Sequence, residues 1–175
     1  CPGALNFPAL VMGSLTPDVG YFFGRLNLDE YSHSLLGSAV FGLPVGALML
    51  AVFYGFRSTA VKMLPARHRE ILQPICERPA GSLWIMIVSM LIGLWTHLAL
   101  DSFTHKGGWL VDYLPLMQRP VLTVDYHNLR VHHLAWYGCS FAGIAWICFS
   151  YDRRLRRAEA VANPSTSTRV SWRNG

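Results

Sequence analysis

The sequence predicts an all-α integral membrane protein: a helical bundle with three transmembrane helices, a broken N-terminal helix and an interfacial or re-entrant segment. Three observations predict it. Long stretches run without charge, which suits a hydrocarbon core that needs about 20 residues of helix to cross. Apolar residue types make up 52% of the chain and charged types only 14%, a balance foreign to soluble domains. The Lys and Arg residues also gather in one loop and in the tail, as membrane topology demands.

The elements follow in order. Leu5 to Phe23 is apolar but interrupted by Pro8, Pro17 and Asp18, so it reads as a broken or tilted helix. Leu35 to Phe56 carries no charge and is the first span. Ser82 to Leu100 carries only His97 and is the second. Leu134 to Tyr151, shorter but uncharged, is the third. Between the last two, Trp109 to Val124 contains Pro115, Pro120 and Asp112 and reads as interfacial or re-entrant. Residues 1–157 form a single membrane domain on this reading, and residues 158–175 a polar, disordered tail.

Charge orients the bundle. The loop 57–81 sets Arg57, Lys62, Arg67, Arg69 and Arg78 against Glu70 and Glu77, and Arg153, Arg154, Arg156 and Arg157 follow the last span. Both belong on the cytoplasmic side of the membrane by the positive-inside rule. The net charge of +5 resides largely there, so membrane lipids, not nucleic acid, are the expected partners. Asp18, His33, His97, Asp101, His105, His127, His132 and His133 then share the opposite face, and only His68 falls in the cytoplasmic loop.

The four cysteines form no CxxC pair and predict neither a disulfide framework nor a Cys-based zinc site. The chain begins with Cys1, which suggests a truncated or processed product.

WTHLALDSFTHKGGW, Trp95 to Trp109, carries the chemistry. His97 and Asp101 are one helical turn apart and share a face. Ser89 and Gly93 extend that register backward, so the pair continues a face on which helices approach closely. Ser34, Ser38, Gly42 and Gly46 form a matching stripe in the first span. Packing the two stripes brings His33 to His97 and Asp101, and the Thr16-Pro17-Asp18 break supplies a fourth ligand. Two imidazoles and two carboxylates suit zinc, with iron or manganese as alternatives, and such a cation activates water for hydrolysis. Plainer readings stand beside this one. His97 and Asp101 also suit a hydrogen-bonded pair that orients helices, and His33 a helix-start residue. His105, just before Gly107 and Gly108, suits a helix C-terminus. His127, His132 and His133 suit interfacial solvation. An interfacial belt accounts for Tyr21, Phe22, Phe23, Trp109, Tyr113, Trp136 and Tyr137.

GSLTPDVGYF, HSLLG and THLALDSFTHKGGW together resemble a bacterial family of small multi-helix membrane proteins described only as a numbered domain of unknown function. That family is in turn distantly similar to inner-membrane metal-dependent hydrolases of the LexA-regulated type, which show PD, HS and H-x3-D motifs in the same order. The resemblance covers Leu5 to Arg157. It implies metal-binding roles for Asp18, His33, His97 and Asp101. His105 matches an FTH-x-GGW element, and His132 matches a histidine before the last helix. Members usually open with a Ser-His-Pro segment, which these residues lack.

The leading expectation is therefore a metal-dependent membrane hydrolase acting on a lipid-like ester, with His105 or His132 assisting proton transfer. The alternatives are a non-catalytic scaffold or assembly subunit, and an electron-transfer protein whose haem is held by His33 and His97.

Overall fold

A computed structural model describes residues 5–22, 31–124 and 127–162. The elements are α1 (Phe7–Val19), α2 (Leu35–Lys62), α3 (Ala66–Cys76), α4 (Leu83–Thr104), α5 (Trp109–Tyr113), β1 (Pro120–Val124), β2 (His127–Arg130) and α6 (Val131–Ala162). The fold is all-α, with one short hairpin. Three segments are long and apolar enough to cross a membrane: Leu35–Lys62, Leu83–Tyr113 and Val131–Val161.

Residues 1–57 and 79–136 make one compact unit. Its packing is that of a membrane bundle, with small and polar residues inside and large apolar ones outside. Thr16, Ser32, Ser38, Ser89 and Ser102 are buried, while Leu35, Leu36, Trp84 and Leu48 are exposed. With no water to exclude between helices in lipid, close backbone approach and polar contacts hold such helices together.

The closest approach is between α1 and α4. A Cβ on Gly13 would collide with the Met90 backbone, and one on Gly93 with the Leu10 carbonyl. The two stripes do not pack on each other as the sequence suggested: Ser89 and Gly93, buried on α4, meet α1, while Gly42 and Gly46 of α2 face Leu94 and Met90 of α4 and Thr16 of α1. Asn6 pins the start of α1. Its side chain accepts from the Ala9 N–H at 2.9 Å and donates to the Tyr54 hydroxyl at 3.0 Å, while its own N–H donates to Ser89 Oγ at 2.8 Å.

The stretch expected to be interfacial is α5 followed by a hairpin. Gly107, at φ +84°, turns the chain out of α4, a left-handed conformation that favours glycine. β1 pairs antiparallel with β2, Pro120 opposite Arg130 and Val124 opposite His127. The hairpin returns the chain to α6, where Val131 N–H donates to the Arg119 carbonyl.

Residues 58–78 and 137–175 make the second unit. Within it the His68 ring stacks on the Tyr151 ring, and Arg67 pairs with Glu159 at 2.6 Å. α6 continues helically to Ala162, past the boundary expected at residue 157, and carries Arg153 to Arg157 on the helix. Residues 163–175 lie outside the described residues. Cys76, Cys139 and Cys148 are free thiols.

Candidate metal centre

Asp18 owes its position to the way α1 ends. Pro17 has no N–H to offer the carbonyl of Gly13, four residues earlier; Thr16 Oγ1 donates to that carbonyl instead, at 2.8 Å. The helix therefore carries on through Asp18 to Val19. Ser32 Oγ then donates to the Pro17 carbonyl at 2.9 Å, which ties the residue before His33 to the end of α1. His33 itself lies two residues before α2.

On α4, His97 and Asp101 lie one turn apart, and the Gly13–Gly93 crossing brings that face against α1. Four side-chain atoms from three segments converge. His97 Nε2 lies 3.0 Å from Asp101 Oδ2 and 3.4 Å from Asp18 Oδ1. His33 Nε2 lies 3.6 Å from Asp101 Oδ2 and 3.8 Å from Asp18 Oδ1. Ligand atoms of Asp18, His33 and His97 all fall within 4.8 Å of one another. Buried His97 Nε2 makes no hydrogen bond despite these approaches.

The neighbouring hydroxyls set the imidazole tautomers. The Ser32 hydroxyl spends its proton on Pro17, so at 3.2 Å it accepts from His33 Nδ1. Thr104 Oγ1 donates to the Leu100 carbonyl at 2.7 Å and so accepts from His105 Nδ1, 2.9 Å away. The same His105 Nδ1 lies 3.1 Å from Asp101 Oδ1. Asp101 thus serves two imidazoles with one oxygen and a third with the other. In the His33 and His105 rings the proton therefore sits on Nδ1, which leaves the Nε2 lone pair to act as a ligand or base.

A cavity of about 860 Å³ opens beside the cluster. His33, Asp101, His105 and His132 contribute its polar wall, and Leu98, Trp109 and Trp136 its apolar wall. This volume is within the range of small-molecule sites.

Of the residues singled out in the sequence, Asp18, His33, His97 and Asp101 come together as expected. His105 is closer to them than its place at the helix end suggested: it caps α4 with its backbone and reaches Asp101 with its ring. His132 is buried and bonds the Met117 carbonyl through Nδ1 at 3.0 Å, away from the four-residue cluster but on the same cavity. His133 sits beside it, ring centroids 4.2 Å apart. The side chain of His127 lies outside the described residues, as does Phe23. Tyr21, Phe22, Trp109, Tyr113, Trp136 and Tyr137 are exposed, as an interfacial belt requires. Sequence reasoning missed Ser32 and Thr104, the buried hydroxyls that orient the rings. The signal was there in the dipeptides Ser32-His33 and Thr104-His105.

The model of a family described as a domain of unknown function (DUF4184) matches residues 2–173. The chain belongs to that family. No curated protein and no solved structure matches the chain, so the expected likeness to metal-dependent hydrolases gains no support from either.

Proposed function

We propose that this member of the DUF4184 family is a membrane-bound, metal-dependent hydrolase acting on a lipid-like ester, its cation held by Asp18, His33, His97 and Asp101. The observation that carries the proposal is that ligand atoms of Asp18, His33 and His97 all lie within 4.8 Å of one another, with Asp101 Oδ2 3.0 Å from His97 Nε2 and 3.6 Å from His33 Nε2. Zinc bonds of about 2.0–2.2 Å in a tetrahedron put ligand atoms about 3.3–3.6 Å apart. Buried His97 Nε2, with no hydrogen bond of its own, is a nitrogen in need of a partner. Two imidazoles and two carboxylates favour zinc, and also suit iron or manganese.

A divalent cation held there would polarise an ester oxygen and make water a stronger acid. The protein's own groups supply the rest. Hydrolysis adds one water across the ester bond: a proton leaves the water and one is delivered to the departing oxygen. His105 and His132, with Nε2 lone pairs at the cavity, are the groups to take and return it. Asp101 Oδ1 holds the His105 ring in that tautomer. Leu98, Trp109 and Trp136 give the cavity an apolar wall, which fits a substrate drawn from the bilayer. With the basic loop 57–81 cytoplasmic, the site belongs to the non-cytoplasmic face of a bacterial inner membrane.

Metal analysis of protein purified in mild detergent without chelator tests this reading. One transition-metal equivalent, lost in His97→Ala, is the expected result; metal-free protein sinks the proposal.

A scaffold is the second reading, favoured by the way the same His–Asp contacts join three segments of the bundle. Haem is disfavoured because Asp18 and Asp101 stand within 3.8 Å of both imidazole Nε2 atoms, where a porphyrin iron would have to sit.

A further inference from the structure

The cavity beside the four-residue cluster carries one charge that no described residue answers. Lys106 lines it and is exposed. The ion pairs of the described residues involve His33, His97, His105, Arg67 and Arg156, and Lys106 enters none of them. Asp101, the one carboxylate among the described lining residues, is spent on three imidazoles. A divalent cation balanced by Asp18 and Asp101 adds no net charge. The cavity therefore offers a free ammonium to whatever enters it.

The backbone fixes where that ammonium stands. His105 to Gly108 is a tight turn: Gly108 N–H donates to the His105 carbonyl at 3.0 Å. Gly107, at φ +84°, fills the third position, where a type II turn requires a positive φ. Lys106 is the corner before it. Both sides of the turn are held on Asp101. The His105 Nδ1 lies 3.1 Å from Asp101 Oδ1, and a Cβ on Gly108 would strike the Asp101 and Ser102 carbonyls. Lys106 is thereby seated directly beside the residue whose ring touches Asp101, with a flexible four-carbon stem to reach from.

The surroundings decide what kind of anion fits. Leu98, Trp109 and Trp136 make an apolar wall. The 22 residues of α4 rise about 33 Å, just beyond the roughly 30 Å of a hydrocarbon core. In a bilayer the turn after α4 therefore stands at headgroup level. Lysine binds phosphate as a point charge, and an ammonium at that depth beside an apolar wall matches an amphiphile whose anion adjoins its acyl chains.

We infer that the cavity takes an anionic glycerophospholipid, Lys106 holding the headgroup phosphate while Leu98, Trp109 and Trp136 receive the start of an acyl chain. This deepens the proposed function, resting on it for the cavity's role as the substrate site, and makes Lys106 the residue that selects for charge.

Calorimetric titration of the full chain in a neutral detergent, with dihexanoyl-phosphatidylglycerol and with zwitterionic dihexanoyl-phosphatidylcholine, tests it. Wild type is expected to bind the anionic lipid about tenfold more tightly, the low end for a hydrogen bond to a charged group. Lys106→Gln, at an exposed turn corner that tolerates most residues, should fold and bind both lipids alike. Lys106→Arg should keep the preference, and so should Lys62→Gln, a cation away from the cavity. Equal affinities in wild type, a preference that survives Lys106→Gln, or one that Lys62→Gln also abolishes overturns the inference. Inorganic phosphate that displaces phosphatidylglycerol at equal affinity overturns the lipid assignment in favour of a free-anion site. Binding is read and not turnover, so the two readings fail separately. Metal-free protein with a Lys106-dependent preference sinks the hydrolase alone, and metal-loaded protein without that preference sinks this inference alone.

Discussion

His97 Nε2 lies 3.4 Å from Asp18 Oδ1, although one belongs to the helix Leu83–Thr104 and the other to the end of Phe7–Val19. The contact exists because α1 and α4 cross at glycines. Gly13 and Gly93 each sit against the backbone of the other helix, and a side chain at either position would push Asp18 away from His97.

Gly13→Leu and Gly93→Leu are therefore expected to destabilise the bundle by at least the 1–3 kcal/mol typical of overpacking, about the upper end or beyond, since backbone carbonyls and not side-chain tips stand in the way. Thermal unfolding in detergent measures the loss. The same variants should lose metal even where they remain folded, because the ligand set spans that crossing.

Bound metal should itself be a large part of the stability. A ligand that binds only the folded state at 100 times its Kd adds about 2.7 kcal/mol. Chelator treatment is expected to lower the Tm of wild type by several degrees and to leave the Tm of Asp18→Asn/His97→Ala unchanged. Equal chelator sensitivity in both would assign the effect to another site.

The rings must be held as well as present. Ser32→Ala and Thr104→Val remove the hydroxyls that take the Nδ1 protons of His33 and His105. Loss of such supporting bonds commonly costs about 10- to 100-fold in metal affinity. Competition with a chromophoric chelator should show that loss for Ser32→Ala, with little change in helix content.

How much of this was legible in the sequence depends on the range of the interactions involved. The spans stood out because length and apolarity are local properties, and the His97–Asp101 spacing because four residues make a helical turn. The meeting with Asp18 and His33 followed only in part: the small residues marked faces of close approach, but Ser89 and Gly93 meet α1 and not the stripe of α2. The pairing of β1 with β2 did not, since the sequence between the strands, Asp125-Tyr126, lacks the Asn-Gly or Asp-Gly chemistry that announces a tight turn. With the hairpin unseen, the Met117 carbonyl that fixes His132 was invisible too, and His132 read as solvated. Pro17 looked like a helix break because nothing local shows that the Thr16 hydroxyl will satisfy Gly13.

Asn6 offers a test of the fold apart from the chemistry. Its side chain caps α1 and reaches the Tyr54 hydroxyl of α2. Asn6→Ala removes the cap, worth about 0.5–2 kcal/mol, together with a part-buried hydrogen bond worth about 1 kcal/mol. A drop of roughly 1.5–3 kcal/mol in unfolding free energy is the expected sum of those two losses. Metal stoichiometry should be unaffected, since the cap lies at the end of α1 opposite to Asp18.

Replacing His97 and Asp101 together by leucine separates a catalyst from a scaffold. Removing one partner of a buried polar pair strands the other, but exchanging both for apolar residues of similar volume is often neutral or stabilising by about 1–4 kcal/mol. His33 still loses its contact with Asp101, so the double variant should insert, fold and unfold near the temperature of metal-free wild type, yet bind no cation at the four-residue centre. If the protein works through that centre, cells carrying the variant behave like a deletion strain despite normal protein levels. If the His–Asp contacts serve only to hold helices together, leucine packing replaces them and the cells behave like wild type. Comparing the variant's Tm in chelator with growth or lipid composition of the complemented strain reads both outcomes, because instability and lost chemistry then move different measurements.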